Sequence, residues 1–291
     1  MKITRKTHKT HKTHKIHKAD KTHKTYKTRT SQVKLKTKLV RVKGHGPLIL
    51  TAPHIVKTVR KNSELHDSED YVKRILNKIY KKLGPEKCTI LTWNYEYIKN
   101  NNLYPRDQNH IKTLNNSWFK ILKKIKSTNK CKVCVHIDIH GMSDKWFLNK
   151  KNYINIGIGA MEKMCPKQAK IIKNEFVKIV EGNNVNLIFN IPFKGFSSKY
   201  YTISHQGLLH NYKSFQFELN RSYRKKIVNN KKTFNTFLDV ITKISAFINS
   251  QTPLKKKCFT KKINKKLHNL KPSQTFKNNV TLTIREPLTK K

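Results

Sequence analysis

The stretch VCVHIDIHGM, residues 133–142, alternates between apolar and polar residues until a glycine interrupts it. One side of the pattern is formed by Val133, Val135, Ile137 and Ile139, and the other side by Cys134, His136, Asp138 and His140. This period is typical of a β-strand, in which successive side chains point to opposite faces of a sheet. An aspartate and a histidine at the end of such a strand require an explanation, because burying polar groups is costly.

Strand and helix patterns alternate on both sides of this stretch. Strands are predicted at 38–44, 47–54, 88–95, 154–160, 185–190 and 214–220, and helices at 68–84, 117–127, 166–182 and 233–249. Such alternation predicts an α/β fold with a mixed, mostly parallel sheet and helices on both faces.

The helix pattern at 68–84 carries the clearest end signals. Ser68 is predicted to cap it, Glu69 and Asp70 to lie in its positively polarised first turn, and Gly84 to end it.

Both ends of the chain differ in composition from this central part. Residues 4–27 form a three-residue Thr/His/Lys repeat that offers little apolar surface, so residues 1–36 are predicted to be a disordered tail. Three interpretations of the tail stay open: an arm that binds polyanions, weak metal binding through its histidines, or no specific task. The ordered domain is predicted at 37–250, and a basic extension at 251–291 contains a further strand pattern at 280–284.

The formal net charge of +48 favours polyanionic partners such as nucleic acid. A compositional bias towards Lys and Asn explains the charge equally well.

Five cysteines form an odd set, and Cys131 and Cys134 are predicted to be core thiols rather than zinc ligands. Neither a signal-peptide segment nor a membrane span is predicted, which favours the cytoplasm, with the nucleus as the alternative.

Several candidate site residues lie where parallel strands are predicted to end. His54 ends one strand, His140 ends another and Glu218 lies near the end of a third, while Glu69 follows soon after His54. Reactive groups collect past the carboxyl ends of such strands. Two histidines and one carboxylate form the ligand set of a hydrolytic zinc site, and a further glutamate can take a proton from water. Taken alone, a histidine at a strand end or a glutamate at a helix start more often has a structural role, and Glu218 could simply pair with a lysine.

Four blocks of the chain, in this order, resemble the N-formylglutamate amidohydrolase family, whose fold is similar to that of zinc carboxypeptidases. They are GPLILTAPH, HDSEDYVKRI, VHIDIHGM and SFQFELNRSYR, and the resemblance covers about residues 44–248. It implies that His54, Glu69 and His140 are the ligands of one zinc ion and that Glu218 is the catalytic glutamate. Two departures stand out: Ile55 follows the Pro-His pair where the family often has Gly or Ser, and neighbouring Asp67 and Asp70 compete with Glu69 as the carboxylate ligand.

Further residues are assigned supporting roles. Asp138 is predicted to fix the tautomer of His140 or to line the site, and Gly141 to allow a close backbone approach or a sharp turn. Arg106 is predicted to clamp a substrate carboxylate, with Arg221 and Arg224 as competitors.

Two functional hypotheses follow from these features. The first is a zinc-dependent hydrolase of a carbon–nitrogen bond, in an N-acyl amino acid or peptide, that uses a zinc-bound water and Glu218 as general base. The second is an inactive hydrolase scaffold that binds nucleic acid through its basic tails.

Overall fold

The computed structural model describes residues 38–60, 63–129, 133–146 and 152–253. The strands within these ranges are β1 Val40–Lys43, β2 Leu48–Ala52, β3 Thr58–Val59, β4 Leu65–His66, β5 Cys88–Trp93, β6 Val135–Met142, β7 Tyr153–Gly157, β8 Asn186–Phe189 and β9 Lys213–Asn220. Seven of them form one sheet in the order β1-β5-β2-β6-β9-β7-β8, and β3 pairs with β4 in a separate antiparallel ribbon.

The sheet is mixed and mostly parallel, as predicted. Four neighbouring pairs run parallel, namely β2 with β5, β2 with β6, β6 with β9, and β7 with β8. The pairs of β1 with β5 and of β7 with β9 are antiparallel. The central strands β2, β6 and β9 therefore end at the same edge of the sheet.

Helices cover both faces of this sheet. They are α1 Val72–Leu83, α2 Tyr95–Asn100, α3 Ser117–Thr128, α4 Gly159–Met164, α5 Pro166–Glu181, α6 Ile203–Leu209, α7 Arg221–Asn229 and α8 Lys231–Ser250. On one face, Phe176 of α5 packs against Phe215 of β9 with ring centroids 5.0 Å apart. On the other face, Gly207 of α6 lies directly over His136 of β6. The predicted fold class is confirmed.

The start of α1 differs from the prediction. Ser68 does not cap this helix, which begins at Val72 after Tyr71, a residue in the left-handed conformation with φ 68°. Glu69 lies in the turn before the helix, where its N–H donates to the carbonyl of His54 over 2.8 Å. The turn therefore places Glu69 beside His54 rather than in the first helical turn. The predicted end at Gly84 is confirmed, since its N–H bonds to the Tyr80 carbonyl.

Several short elements carry too little periodicity to be predicted, namely the β3–β4 ribbon and helices α2, α4, α6 and α7.

Cys134 is buried and disulfide-bonded, so its prediction as a thiol is wrong, and Cys131 lies outside the described residues. The predicted N-terminal tail, 1–36, and the strand pattern at 280–284 also lie outside them. Among the helices described, none is long and apolar enough to cross a membrane.

Candidate metal centre

His54 and Glu69 meet at the carboxyl edge of the sheet, just past the end of β2. The Nδ1 atom of His54 lies 2.8 Å from Oε1 of Glu69. The other ring nitrogen, Nε2, lies 2.9 Å from Oδ1 of Asp107, a fully buried carboxylate. Arg60 Nε in turn donates to Oδ2 of Asp107 over 2.8 Å. The chain of contacts fixes the imidazole of His54 with Nδ1 towards Glu69.

His140 reaches the same point from the end of β6. Its Nδ1 atom lies 3.1 Å from Nδ1 of His54 and 3.3 Å from Oε1 of Glu69. Its Nε2 atom lies 2.8 Å from Oδ2 of Asp138, two residues back on the same strand. The second oxygen of Glu69 accepts from the backbone N–H of Gly141 over 2.8 Å. Both histidines thus present Nδ1 to Glu69 and turn Nε2 towards a buried aspartate.

The three residues fit a metal ion. The three facing atoms, one from each residue, are 2.8–3.3 Å apart. Four ligands at about 2.0–2.1 Å around a tetrahedral zinc ion lie about 3.3 Å from one another. An ion would require only a slight opening of the cluster. His54, Glu69 and His140 can therefore hold a divalent metal, and two histidines with one carboxylate are a ligand set that leaves a position open.

Glu69 is the carboxylate that the structure brings to the histidines. Asp67 is exposed and pairs with Lys57 over 3.0 Å, and Asp70 pairs with Arg221 over 2.8 Å. The two competing aspartates are thus engaged by surface cations outside the cluster.

Without a metal, the three residues of the cluster have strongly shifted pKa values. Burial disfavours the cation of His54, but Glu69 and Asp107 outweigh it and raise its pKa to about 9. For His140, burial is likewise outweighed by Asp138 and Glu69, and its pKa lies well above its usual value. Against the cost of burial, the two histidines hold the pKa of Glu69 well below its usual range. These shifts favour protonated histidines and an ionised Glu69 when no metal is bound.

Glu218 lies beside this cluster, opposite His140 in the register between β6 and β9. It is buried, and Nε2 of Gln216 donates to its Oε1 over 2.5 Å. Burial is the main reason that its pKa is raised to about 7; His140 lowers it and Glu69 raises it. A carboxyl group with a near-neutral pKa next to a candidate metal site is suited to exchange protons at physiological pH.

Arg106 lies on the same loop as Asp107 but is not drawn into the cluster. Its side chain is exposed, and within the described part of the chain its guanidinium makes no hydrogen bond or ion pair. Its backbone forms a parallel bridge to Val59. The predicted clamp therefore stays a prediction, and the nearby arginine that supports a site residue is Arg60.

Arg224 explains why a glycine, Gly141, interrupts the alternation in residues 133–142. Its buried guanidinium and Nε donate to the carbonyls of Leu219, Met142 and Asp70. A Cβ atom added to Gly141 would lie 2.3 Å from Cζ of Arg224. Gly141 thus allows this arginine to tie together the ends of β6 and β9 and the turn that carries Glu69.

Several residues at this edge were not predicted. Thr51 and His136 lie beneath Asp138, Arg60 supports Asp107, and His66 packs its ring 4.4 Å from that of His54. His136 could have been recognised from the sequence, because it continues the alternation of Asp138 and His140. His66 belongs to a ribbon too short to show a pattern, and Arg60 directly follows its first strand.

Comparisons with known proteins give remote structural likenesses. No family model matches the chain, and no curated protein matches it. A bacteriophage poly-gamma-glutamate hydrolase is 12% identical with a TM-score of 0.42, over 72% of this chain and 87% of that chain. An N-formylglutamate amidohydrolase from Ralstonia eutropha JMP134 is 12% identical with a TM-score of 0.42, over 72% and 98%. A putative carboxypeptidase A from Shewanella denitrificans OS-217 is 12% identical with a TM-score of 0.39, over 77% and 68%.

Proposed function

We propose that the protein is a metal-dependent hydrolase of a carbon–nitrogen bond, in an N-acyl amino acid or a short peptide, with zinc as the metal. One observation carries the proposal: a cluster of two histidines and a carboxylate lies beside a second buried carboxyl group, Glu218, whose pKa is raised to about 7. Carboxyl groups with perturbed pKa values cluster at functional sites, where burial and neighbouring charges set them.

In the proposed reaction, the residues of the protein have separate roles. A divalent metal, when bound, polarises a carbonyl group and lowers the pKa of water towards about 7. His54, Glu69 and His140 would hold it. Glu218 would take a proton from the attacking water and pass it to the leaving nitrogen. Because a nearby dication favours the anionic form of a carboxyl group, Glu218 would be in the form that accepts a proton at neutral pH when a metal is bound.

Gln216 keeps Glu218 ready for this exchange. Its amide donates to Oε1, which leaves the second carboxylate oxygen of Glu218 available for a proton. A Cβ atom added to Gly195 would lie 3.1 Å from Cβ of Gln216 and 2.7 Å from the carbonyl oxygen of Gly157 on the neighbouring strand β7. The close approach of Gly195 therefore also constrains the position of Gln216.

Arg106 is the proposed contact for a carboxylate of the substrate. Arg60, Arg221 and Arg224 are each engaged by an aspartate or by backbone carbonyls. Arg106 keeps its guanidinium exposed one residue from Asp107, which supports His54. A planar guanidinium binds a carboxylate through two parallel hydrogen bonds.

The test is Glu218→Gln in the zinc-loaded full-length protein, assayed against N-formyl and N-acetyl amino acids and dipeptides. Turnover should fall by about 10² to 10⁴, the usual contribution of a general base, while zinc content stays the same. Glu96→Gln, an exposed glutamate paired with Lys73, is the matched control and should keep full activity.

Three outcomes would contradict the proposal. Full activity in Glu218→Gln would remove the general base, and loss of zinc from that variant would make Glu218 a ligand. Bound zinc with no hydrolysis of any substrate in the panel would favour the inactive scaffold.

A further inference from the structure

A chain of buried polar side chains runs from the candidate metal centre into the interior of the sheet. Asp138 Oδ1 accepts from Oγ1 of Thr51 over 2.6 Å, and Oγ1 of Thr51 lies 3.0 Å from Nε2 of His136. Nδ1 of His136 lies 2.7 Å from Oγ of Ser214. These four side chains are 0–1% exposed. They come from β2, β6 and β9, the three strands at the centre of the sheet.

Register places all of them on one face. Thr51 is paired with Asp138 between β2 and β6, and His136 with Ser214 between β6 and β9. Paired residues of parallel neighbours point to the same side of the sheet. The polar chain therefore lies beneath α6, on the same face as His140 and Glu218.

Counting protons leaves one arrangement that satisfies every contact. Each hydroxyl has one proton, and a neutral imidazole has one N–H. Because the hydroxyl of Thr51 donates to the carboxylate of Asp138, it can only accept from His136. His136 must then carry its proton on Nε2 and accept at Nδ1 from Ser214. Burial supports a neutral ring, since it lowers the pKa of His136 to about 4.

At the end nearest the candidate metal centre, this series of hydrogen-bonded side chains fixes His140. Asp138 Oδ2 lies 2.8 Å from Nε2 of His140, so this nitrogen must donate, and Nδ1 faces Glu69. The side-chain amide of Asn109 also lies 2.9 Å from Nε2. Its Oδ1 accepts from the Ile203 N–H, so the atom near His140 is the amide nitrogen. Donation from it to Nε2 would leave a ring lone pair facing the Asp138 carboxylate, which is unfavourable.

We propose that Ser214, His136 and Thr51 are positioning residues that act through Asp138 to hold the ring of His140 with Nδ1 towards Glu69 and His54. The inference rests on the proposed function only in identifying Nδ1 as a metal ligand. A buried chain in which every donor has an acceptor holds its members in one arrangement. Polar partners of this kind orient metal-ligating histidines and influence metal affinity.

The position of Gly207 independently supports the importance of this hydrogen-bonded arrangement. It lies inside α6, where glycine weakens a helix relative to alanine. A Cβ atom at this position would lie 2.2 Å from Nδ1 of His136 and 2.7 Å from Oγ of Ser214. Glycine is therefore required for the helix to close over this end of the chain and exclude water from it.

The first test measures the tautomer of His136 in the metal-free, full-length protein by long-range ¹H–¹⁵N correlation of the imidazoles. The His136→Gln variant identifies its signals by their absence. The account predicts that the proton is on Nε2. A proton on Nδ1 would overturn it, because Thr51 would then have to donate to His136 and could not donate to Asp138.

The second test compares Thr51→Val with Thr51→Ser by zinc competition against a chromophoric chelator. Valine keeps the shape and removes the hydroxyl, whereas serine restores it. Zinc affinity should fall by about 10- to 100-fold in Thr51→Val and be largely restored in Thr51→Ser. Equal affinities in the two variants would overturn the inference.

One control and one outcome separate this inference from the proposed function. His210→Phe replaces a neighbouring histidine that bonds to the Phe119 carbonyl outside the chain and should leave zinc affinity unchanged. If the unmodified protein binds no zinc at all, the proposed function fails. The tautomer of His136, whose measurement needs no metal, still decides whether these side chains are hydrogen-bonded as proposed.

Discussion

The two histidines of the candidate centre are held in different ways. His54 is supported by Asp107 and Arg60, which lie in loops, and Arg60 remains about a quarter exposed. His140 is supported by Asp138, Thr51 and His136, which are fully buried on the central strands. An ion pair fixes the first aspartate, and neutral hydrogen bonds fix the second. The same orientation of an imidazole is thus achieved by charge at the rim and by hydrogen bonding inside the sheet.

The candidate centre has two halves: His54 with its support from loops, and His140 with its support from the central strands. Glu69 contacts both histidines, so its removal should have the largest effect. Glu69→Gln keeps the shape but removes the anion that lies against Nδ1 of both histidines. We expect zinc binding to be lost at micromolar metal, as measured by competition with a chelator. Asp67→Asn, which changes an exposed neighbour paired with Lys57, is the matched control. Retention of tight zinc binding in Glu69→Gln would show that the two halves do not share this ligand.

The dependence of zinc affinity on pH should be the next largest effect. Both histidines have raised pKa values in the metal-free protein, about 9 for His54. Below that pH a metal must displace their protons, so affinity should fall as pH falls, by about tenfold per pH unit for each proton displaced. Titrations at pH 6, 7 and 8 measure this slope. An affinity independent of pH in this range would contradict the protonated cluster.

The same pKa shifts predict that the stability of the metal-free fold decreases as pH rises, whereas zinc affinity increases. A histidine with a raised pKa stabilises the fold below its unfolded pKa of about 6.5, and the contribution is lost as pH rises through the folded pKa. Chemical unfolding of the metal-free protein should therefore become easier between about pH 7 and 9. Zinc should reverse that trend, since binding strengthens over the same range.

A comparison of Asp107→Asn with Asp138→Asn tests the two kinds of support directly. Each should weaken zinc binding by about 10- to 100-fold. Only Asp107→Asn leaves an unpaired cation, Arg60, close to His54. Adding Arg60→Met should therefore restore part of the affinity of Asp107→Asn and none of that of Asp138→Asn. Equal rescue of both variants would remove the distinction between the two halves.

Gly141→Ala should have the smallest effect, and on stability rather than on chemistry. The added Cβ meets the guanidinium of Arg224, which is fixed by three backbone carbonyls. Overpacking of this kind costs about 1–3 kcal/mol of unfolding free energy, measured by denaturant titration. Stability should be partly recovered in Gly141→Ala with Arg224→Met. A Gly141→Ala protein as stable as the original would show that Arg224 moves freely.

The half built on the sheet was the more predictable from sequence. Alternation in 133–142 places His136, Asp138 and His140 on one face of a single strand, and the same reasoning places Gln216 and Glu218 together on β9. Periodicity also predicted the long helices and the mixed sheet. What it could not give was the partner strand, because the pairing of Thr51 with Asp138 depends on sheet order rather than on local sequence.

The half built from loops could not be derived in the same way. Asp107 lies in a loop, and its contact with His54 joins residues 53 positions apart. Glu69 was expected in the first turn of a helix, where dipole effects favour an acid. Instead, the turn before α1 directs it at His54 and His140. Irregular segments of this kind have no period from which to predict their contacts.

The most direct test of the central claim is the local structure around zinc in the full-length protein, measured by X-ray absorption. His8, His11, His14, His17 and His23 should first be replaced by Gln, so that the N-terminal repeat contributes no ligand. The account predicts one zinc per chain, with two imidazole nitrogens and a carboxylate oxygen at about 2.0–2.2 Å, and no bound zinc after His54→Ala with His140→Ala. Stoichiometric zinc in that double variant would contradict it.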